Sequence, residues 1–325
     1  MANYIKKVAI VGATGTVGKF IVSEILKKGK QQVTAITRAD SKAVMPAGVA
    51  VANVSYNDPA TLEAAMRGHD ALVITLGTSV PKDTQNKLIT AAAAAGVSFV
   101  LPNEWGIESD VGTFGADVLL GNAAKAARAR IEELGKSSWI SVHTGYWYAH
   151  SAAIPDAFGM DWKNKTMTFF DEGTQKINVI TQEKTGRVVA SLLSLPIEPE
   201  TPGASSLGAY RNKHLFTSSW LVSQQDMFDS VLRVTGTNKA DWTIQHESSK
   251  QRHEEAKAHL FKTGDHSAFA KVLYARTFYP NDDGNFWTRH TSDDERIGLV
   301  EPEEDLDAET KKAINLMEAG YKYGA

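Results

Sequence analysis

The sequence of 325 residues contains no cysteine. Disulfides, thiolate nucleophiles and metal sites built from thiolates are therefore excluded. An excess of one charge is also lacking, since 35 Lys and Arg stand against 38 Asp and Glu and the formal net charge is -3. This balance does not indicate nucleic acid or an anionic membrane as a partner. We therefore expect the partner to be a small molecule.

Long apolar segments are the second absence. The opening MANYIKKVAI runs directly into a strand-like pattern and has no apolar stretch long enough for a signal peptide or a membrane span. Hydrophobic residues still make up 42% of the chain, which is enough to bury a core of one large or two modest domains. We expect a cytoplasmic protein, either a monomer or a homodimer.

Short apolar runs alternate with amphipathic helical patterns from residue 5 to about residue 145. The strand candidates are KVAIVGA, QVTAITR, VAVANVS, ALVITLG, SFVLPN and SWISVHT. This alternation is typical of a parallel sheet covered by crossover helices. The sequence therefore predicts an α/β fold with a doubly wound parallel sheet of six strands.

The rhythm becomes less regular after residue 150. Two segments, near 176–196 and 213–236, have patterns that predict a return to the sheet. We therefore expect residues 1–150 to form the sheet domain together with these returning segments. Residues 151–325 are expected to form mainly a smaller, interleaved α+β substrate domain.

Three glycines spaced GxxGxxG follow the first strand directly and open the first helix. Gly12 permits a tight turn, Gly15 allows a diphosphate to approach the backbone, and Gly18 allows the helix to pack close to the sheet. The alternative is an ordinary glycine-rich turn, but strand, turn, helix and second strand follow one another at the spacing of an NAD(P)-binding Rossmann domain. The residues expected to hold the diphosphate are Gly12, Thr14, Gly15, Thr16, Val17 and Gly18.

The end of the second strand bears on which dinucleotide is bound. A carboxylate there suits the ribose of NAD(H), whereas Arg38, with Lys42 close behind, suits the 2′-phosphate of NADP(H). Asp40 is expected to point elsewhere. NADP(H) is therefore the predicted cofactor, and the alternative is NAD(H) with Arg38 as a solvated surface residue. Gly77, in the TLGT segment that ends at Thr78, is predicted either to pass beside the cofactor or to form a plain turn.

Polar and aromatic residues follow the fifth and sixth strands, whose carboxyl ends border the ligand crevice in such sheets. Asn103 and Glu104 are predicted to contact the cofactor. An aromatic-lined pocket for a flat, apolar substrate is predicted from Trp105, His143, Tyr146 and Trp147. The alternative is that these aromatic residues only pack one domain against the other.

Several motifs together resemble the NmrA-like and isoflavone reductase-like family of atypical short-chain dehydrogenases. They are GATGTVGK at the first turn, TR after the second strand, LPNEWG after the fifth, and NAAKAARARIEELG before the sixth. Pro102 to Gly106 match the family's proline, small polar residue, Glu, aromatic residue and Gly, with Asn and Trp where Ser and Phe are commoner. The resemblance covers roughly residues 5 to 150.

This resemblance implies an NADPH-dependent reductase of a small aromatic, phenylpropanoid-like or isoflavone-like substrate. In plant reductases of the family a lysine in the helix before the sixth strand acts at the active site, and Lys125 is the matching candidate. A solvent-facing helical lysine is the alternative for Lys125. The family also includes redox sensors that bind the dinucleotide without turnover and act through a protein partner, so a sensor is the second functional hypothesis.

Two other catalytic arrangements are absent from the sequence. No tyrosine and lysine stand four residues apart after the fifth strand, since Tyr146 is followed by His150, and this excludes the machinery of ordinary short-chain dehydrogenases. His253 and His259 are separated by six positions and lack the spacing of a helical metal pair. We therefore predict no metal site and place both histidines on solvated helix faces.

Overall fold

The computed structural model describes residues 3–77, 80–300 and 302–321. Its strands, in chain order, are β1 (Lys7–Val11), β2 (Gln32–Arg38), β3 (Val49–Val54), β4 (Ala71–Ile74), β5 (Phe99–Leu101), β6 (Ser138–His143), β7 (Tyr146–Trp147), β8 (Met160–Asp161), β9 (Thr166–Phe170), β10 (Lys176–Ile180), β11 (Lys213–Phe216), β12 (Trp220–Ser223) and β13 (Thr243–Glu247).

Helices connect these strands and follow the last of them. In chain order they are α1 (Gly18–Lys28), α2 (Pro59–Met66), α3 (Thr84–Ala95), α4 (Phe114–Asp117), α5 (Gly121–Leu134), α6 (Tyr148–Ala152), α7 (Pro155–Phe158), α8 (Gln182–Leu192), α9 (Gln224–Thr235), α10 (Ser249–Thr263), α11 (Phe269–Thr277) and α12 (Leu306–Glu318).

The central sheet contains seven parallel strands in the order β11-β6-β5-β4-β1-β2-β3. The chain starts in the middle, winds outwards through β2 and β3, and then crosses back to β4, so the strand order reverses between β1 and β4. Ligands bind outside the carboxyl ends of the strands at such a reversal. The predicted doubly wound α/β fold is confirmed, and the seventh strand comes from the returning segment near 213–236.

Helices cover both faces of this sheet. On one face α1 packs against α8, and the buried side of α1 includes Ile21, Val22 and Ile25. On the other face α2 and α3 pack together and α5 packs beside α3. Both sheet faces are thus buried, which explains why β1 and β4 appear in the sequence as nearly continuous apolar runs.

Two small sheets lie beyond the central one, with strand orders β12-β10-β7 and β13-β9-β8. They share a separate aromatic-rich core with α9, α11 and α12. The core includes Tyr148, Phe158, Phe170, Phe228 and Phe278, and their aromatic contacts bring together residues far apart in sequence. The irregular pattern after residue 150 therefore corresponds to short elements that pack through aromatic side chains.

The C-terminal part of the chain contains one departure from expectation. His253 on α10 is buried, and its Nδ1 lies 2.9 Å from the carbonyl oxygen of Val272. The prediction of a solvated position was wrong for His253 because α11 packs over that side of α10. His259 is exposed as predicted. Within the described ranges no helix has the length and apolar character needed to cross a bilayer.

Candidate active site

The glycine turn between β1 and α1 leaves no room for side chains at two of its three glycines. Gly12 has a φ of 80°, and a Cβ there would lie 1.9 Å from the carbonyl oxygen of Thr75. A Cβ on Gly18 would lie 2.1 Å from the carbonyl oxygen of Gly12. The Thr75 hydroxyl donates to the carbonyl oxygens of Val11 and Gly12 at 2.8 and 3.1 Å, which fixes the turn against β4.

Helix α1 begins directly above this turn without a side-chain cap, since Val17 at the N-cap position makes no side-chain capping hydrogen bond. The N–H groups of Lys19 and Phe20 donate to the carbonyl oxygens of Gly15 and Val17 at 3.3 and 3.0 Å, so among the described residues those of Val17 and Gly18 are the ones left for an anion. Gln182 donates to the carbonyl oxygen of Thr16 at 2.8 Å. Because the C=O and N–H of one trans peptide point in opposite directions, this bond also fixes the direction of the Val17 N–H.

The other residues of the turn have positions suited to a ligand. Thr14 and Gly15 are exposed and Thr16 is half-buried at the carboxyl end of β1. The Gly15 N–H donates to the Gly12 carbonyl oxygen at 2.9 Å and closes the turn. A cradle that a Cβ would fill, followed by an uncapped helix N-terminus, fits the diphosphate of a dinucleotide.

The end of β2 carries exposed cations at the rim of the sheet. Arg38 is 67% exposed, and Lys42 is also exposed. The sequence predicts that Asp40 points elsewhere, but in the structure its carboxylate lies 3.6 Å from Arg38 Nε. Both partners are exposed, so this contact is weak and leaves the guanidinium accessible. Burial raises the pKa of Tyr56, which follows β3, and the nearby charge of Arg38 offsets part of that rise.

The loops after β4 and β5 are tied together by Asn103. Its side chain accepts from the Leu76 N–H at 2.9 Å and donates to the Leu76 carbonyl oxygen at 3.1 Å. Gly77 is exposed, and nothing lies within 4 Å of a Cβ added there. Thr78 lies outside the described residues. The crevice outside the carboxyl ends of the central strands, between the glycine turn and the loops after β4 and β5, is called the groove below. Asn103 holds the backbone that borders this groove, and its side-chain amide is occupied by that backbone.

Trp105 lies across the carboxyl ends of two strands. Its indole N–H donates to the carbonyl oxygen of Ile74 at the end of β4, at 2.7 Å, and the side chain is partly exposed. Thr144, after β6, donates its hydroxyl to the Trp105 carbonyl oxygen at 3.2 Å. The indole therefore contributes a fixed, partly exposed aromatic surface at the edge of the sheet where the strand order reverses.

Glu104 lies beneath the groove rather than in it. Its carboxylate accepts from Arg128 at 2.5 and 2.6 Å, from Ser109 at 2.8 Å and from Ser141 at 2.5 Å. Glu104 is 7% exposed, and both of its carboxylate oxygens are occupied by these four hydrogen bonds from three side chains. Burial, the largest influence, raises the pKa of Glu104, but His143, Arg128 and the hydrogen bonds outweigh it and hold the pKa below its usual value.

His143 is also buried beneath the rim instead of facing a pocket. Its Nδ1 lies 2.8 Å from the Ile107 carbonyl oxygen, and its Nε2 lies 2.8 Å from His214 Nδ1. Burial lowers the pKa of both imidazoles, that of His214 to about 4, with the charge of Arg128 adding to the effect. His143 and His214 thus join β6 to β11 as a packed, hydrogen-bonded pair.

The two aromatic residues after β6 differ in their surroundings. Tyr146 is buried, and its hydroxyl bonds the hydroxyl of Thr277 on α11. Trp147 is partly buried, and its indole N–H is buried with no hydrogen-bond partner among the described residues. A buried donor without a partner is rare in proteins, and a bound polar group would satisfy it. Trp147 therefore fits a place beside a ligand, whereas Tyr146 packs the aromatic core.

Lys125 lies in the first half of α5, the end of the helix nearest the groove. Its side chain is 52% exposed, and its Nζ is 3.6 Å from a carboxylate oxygen of Asp110. The same carboxylate accepts two hydrogen bonds from Arg128, at 2.6 and 2.7 Å. Lys125 is thus held beside the Glu104–Arg128 network, at the solvent side of the groove.

The structure adds three residues that the sequence analysis missed. Arg128 is a buried partner of Glu104, and Gln182 orients the diphosphate turn. Tyr321 also reaches the turn, since burial raises its pKa and the Thr16 side chain lies close enough to offset part of that rise. The helix motif NAAKAARAR could have identified Arg128, because it follows Lys125 by three positions on the same face of α5.

Comparisons with known proteins agree with this arrangement. Residues 12–148 match the family model described as NAD(P)H-binding. Oxidoreductase aprR of Aspergillus flavus is 27% identical over 262 residues, which are 79% of this chain and 82% of that protein. Isoflavone reductase homolog P3 of Arabidopsis thaliana is 31% identical over 120 residues, 34% of this chain and 38% of that protein.

The fold is shared with solved isoflavone reductase, which superposes with a TM-score of 0.68 at 18% identity and covers 94% of this chain and 98% of its own. The glycine cradle lies within the residues that match the NAD(P)H-binding model, and the relative that aligns over most of the chain is named an oxidoreductase. Residues 12–148 are thus similar to NAD(P)H-binding domains, and the solved isoflavone reductase shares the fold that the motifs predicted.

Proposed function

We propose that the chain is an NADPH-dependent reductase of a small aromatic substrate. The observation that carries the cofactor choice is Arg38, a largely exposed guanidinium at the end of β2 beyond the glycine cradle. Together with Lys42 it suits the 2′-phosphate of NADPH, which carries charge that NADH lacks. Bound NADPH would supply the hydride, and the protein would supply binding, orientation and a proton.

The substrate side is proposed to lie between the sheet and the chain after residue 150. Trp105 and Trp147 present aromatic surface at the carboxyl ends of the strands, and the buried indole N–H of Trp147 offers a donor. An aromatic-walled groove with few polar groups suits a flat aromatic ligand. Residues 151–325 then act mainly as the substrate domain, with α8 and β11 returned to the sheet.

Lys125 is the proposed proton relay or anchor for the substrate oxygen. Asp110 and Arg128 hold this end of α5 against the loop after β5, so Nζ stays close to the groove. Glu104, Asn103 and His143 are proposed to support the groove through their own partners. Their predicted direct contact with cofactor or substrate is not part of this proposal.

Titration of NADPH and NADH, followed by nicotinamide fluorescence, tests the cofactor. The wild type should bind NADPH more tightly, and Arg38→Ala should weaken NADPH about 10-fold, or about 1.4 kcal/mol, with little change for NADH. Arg67→Ala removes an equally exposed arginine paired with Glu63 on α2 and serves as the control. Tighter binding of NADH by the wild type would refute the NADPH assignment.

NADPH oxidation against aromatic enones, aldehydes and benzylic ethers tests the reaction. Lys125→Ala should lower kcat about 100-fold on an accepted substrate, as expected for loss of a general acid. Lys27→Ala serves as the control and should leave kcat unchanged, because Lys27 lies on the last turn of α1, at the amino ends of the central strands. If Lys125→Ala turns over as fast as the wild type, Lys125 has no part in proton transfer.

The second candidate is a dinucleotide-binding sensor that acts through a protein partner. It is favoured by the exposure of Lys125 and its ion pair with Asp110, which draw its Nζ towards a surface carboxylate. In that case NADPH binds with the Arg38 dependence given above, yet no member of the substrate panel is reduced. The two functions are thus separated by turnover.

A further inference from the structure

The C-terminal helix brings a tyrosine to the glycine turn. Helix α12 ends at Glu318, and Gly320, with a φ of 76°, turns the chain back so that the Tyr321 N–H donates to the Leu316 carbonyl oxygen at 3.0 Å. This turn directs the Tyr321 side chain towards Thr16, more than 300 positions earlier in the sequence.

The position of Tyr321 is fixed by the packing of α12. Asp307 at its start accepts from Ser230 at 2.6 Å and from Arg233 on α9 at 2.7 and 2.8 Å. Thr310 bonds the hydroxyl of buried Tyr148 at 2.8 Å. These contacts anchor α12 to the aromatic core, so Tyr321 extends from a fixed helix.

The Tyr321 hydroxyl lies between two partners. Burial raises the pKa of Tyr321, and the Thr16 side chain, as a hydrogen-bond donor beside the hydroxyl in the glycine turn, offsets part of that rise. The hydroxyl also lies 2.5 Å from His150 Nδ1. Burial lowers the pKa of His150 to about 4, so the imidazole is neutral at pH 7 and carries a single N–H. With that proton on Nδ1, His150 donates to the tyrosine oxygen and leaves the tyrosine O–H free to donate elsewhere. The three side chains therefore form a hydrogen-bonded chain from the turn into the protein.

Aromatic rings continue this chain towards the proposed substrate side. The Tyr321 ring packs edge-on against His150 with centroids 5.5 Å apart, and Trp147 packs edge-on against His150 at 5.8 Å. Trp147, His150 and Tyr321 thus form an aromatic wall. The wall runs from the glycine turn, which takes the diphosphate, to the indole at the substrate side of the groove.

We propose that Tyr321 is a dinucleotide-binding residue whose hydroxyl donates to the diphosphate held by the glycine turn, with His150 as its positioning residue. The uncapped N–H groups of α1 attract the diphosphate to the turn that Thr16 borders, and the tyrosine hydroxyl already lies at Thr16. The proposal rests on NAD(P)H binding and, for the choice of probe, on the proposed preference for NADPH. It requires no turnover.

Binding of two probes separates a contact with the diphosphate from a general disturbance. NADPH carries the diphosphate, whereas adenosine 2′-monophosphate carries only the part that Arg38 is proposed to hold. Tyr321→Phe should weaken NADPH about 5-fold, the loss expected for one hydrogen bond, and should leave adenosine 2′-monophosphate unchanged. Arg38→Ala should weaken both probes.

A matched control is Tyr4→Phe, which removes a hydroxyl bonded to Glu200. A chain ending at Gly320 should lose NADPH affinity at least as much as Tyr321→Phe, with an unchanged apo melting temperature. NADPH affinity equal to the wild type in Tyr321→Phe overturns the proposal, and so does equal weakening of both probes. Failure to reduce any substrate leaves these measurements intact, so it concerns the proposed reaction alone.

The role of His150 is tested by variants that keep or remove its N–H donor. His150→Asn can place its amide N–H near the former Nδ1 and should retain most of the NADPH affinity. His150→Leu removes the donor and should weaken NADPH as much as Tyr321→Phe does. In the double variant His150→Leu with Tyr321→Phe, the losses should not add, because both act through one hydroxyl. Additive losses would overturn the positioning role.

Discussion

The two sides of the groove are built in different ways. The diphosphate side consists of backbone, in which Gly12, Gly18 and the start of α1 lie within one short stretch of sequence. The other side, at the carboxyl ends of β5 and β6, is called the β5–β6 rim and consists of side chains. There Glu104, which follows β5, bonds Arg128 of α5 and Ser141 of β6. In the proposed function the first side would bind a group common to all dinucleotides, and the second would support the substrate site. Binding of the common group would then depend on local backbone geometry, and the substrate site on contacts between residues far apart in sequence.

The largest effect should come from filling the backbone cradle. In Gly12→Ala the added Cβ would meet the Thr75 carbonyl oxygen at 1.9 Å, so the turn must move away from β4. NADPH binding should fall by about 100-fold or more, about 2.7 kcal/mol, in a fluorescence titration.

Gly68→Ala separates this close approach from backbone strain. Gly68 has a similar φ of 78°, yet nothing lies within 4 Å of an added Cβ. It should lose about 1–2 kcal/mol of unfolding free energy from the left-handed conformation alone and bind NADPH normally. Normal NADPH binding by Gly12→Ala would show that the close approach to Thr75 has no role in the cradle.

The next largest effect tests the side-chain rim. Arg128→Met keeps the apolar stem but leaves the buried carboxylate of Glu104 without its partner. The free energy of unfolding in urea should fall by about 3–5 kcal/mol. Arg130→Met, two residues along α5 and paired with exposed Glu133, should change it by no more than about 0.5 kcal/mol. Similar losses of unfolding free energy in both variants would mean that the Glu104–Arg128 pair stabilises the protein no more than an exposed ion pair does.

The same rim should give the protein an acid-sensitive component of stability. The pKa of Glu104 is lower in the folded protein than its unfolded value of about 4.3. Its contribution is therefore fully present above that value and is lost as pH falls through the folded pKa. Between pH 5 and 3 the unfolding free energy of Glu104→Gln should fall less steeply than that of the wild type. Parallel curves in urea titrations would contradict this assignment.

Sequence information was sufficient where structure is local. The strand β2 coincides with QVTAITR, and the glycine turn follows from the spacing of Gly12, Gly15 and Gly18. The burial of Glu104 and His143 was not predictable in the same way, because their partners Arg128 and His214 lie 24 and 71 positions away. Tyr321 is the extreme case, since its contact with Thr16 depends on where α12 packs. Residue type and periodicity do not encode such distances.

The smallest effect concerns Asp40, an acidic group beside Arg38 at the end of β2. Asp40 lies 3.6 Å from Arg38 Nε, with both side chains mostly exposed. In Asp40→Asn the carboxylate no longer attracts Arg38 or repels a 2′-phosphate, so NADPH should bind about 2-fold more tightly, within the range of exposed ion pairs. NADH, which lacks the phosphate, should be unaffected, and the gain should disappear at high salt. Weaker NADPH binding in Asp40→Asn would mean that Asp40 holds Arg38 in place for the phosphate and does not compete for it.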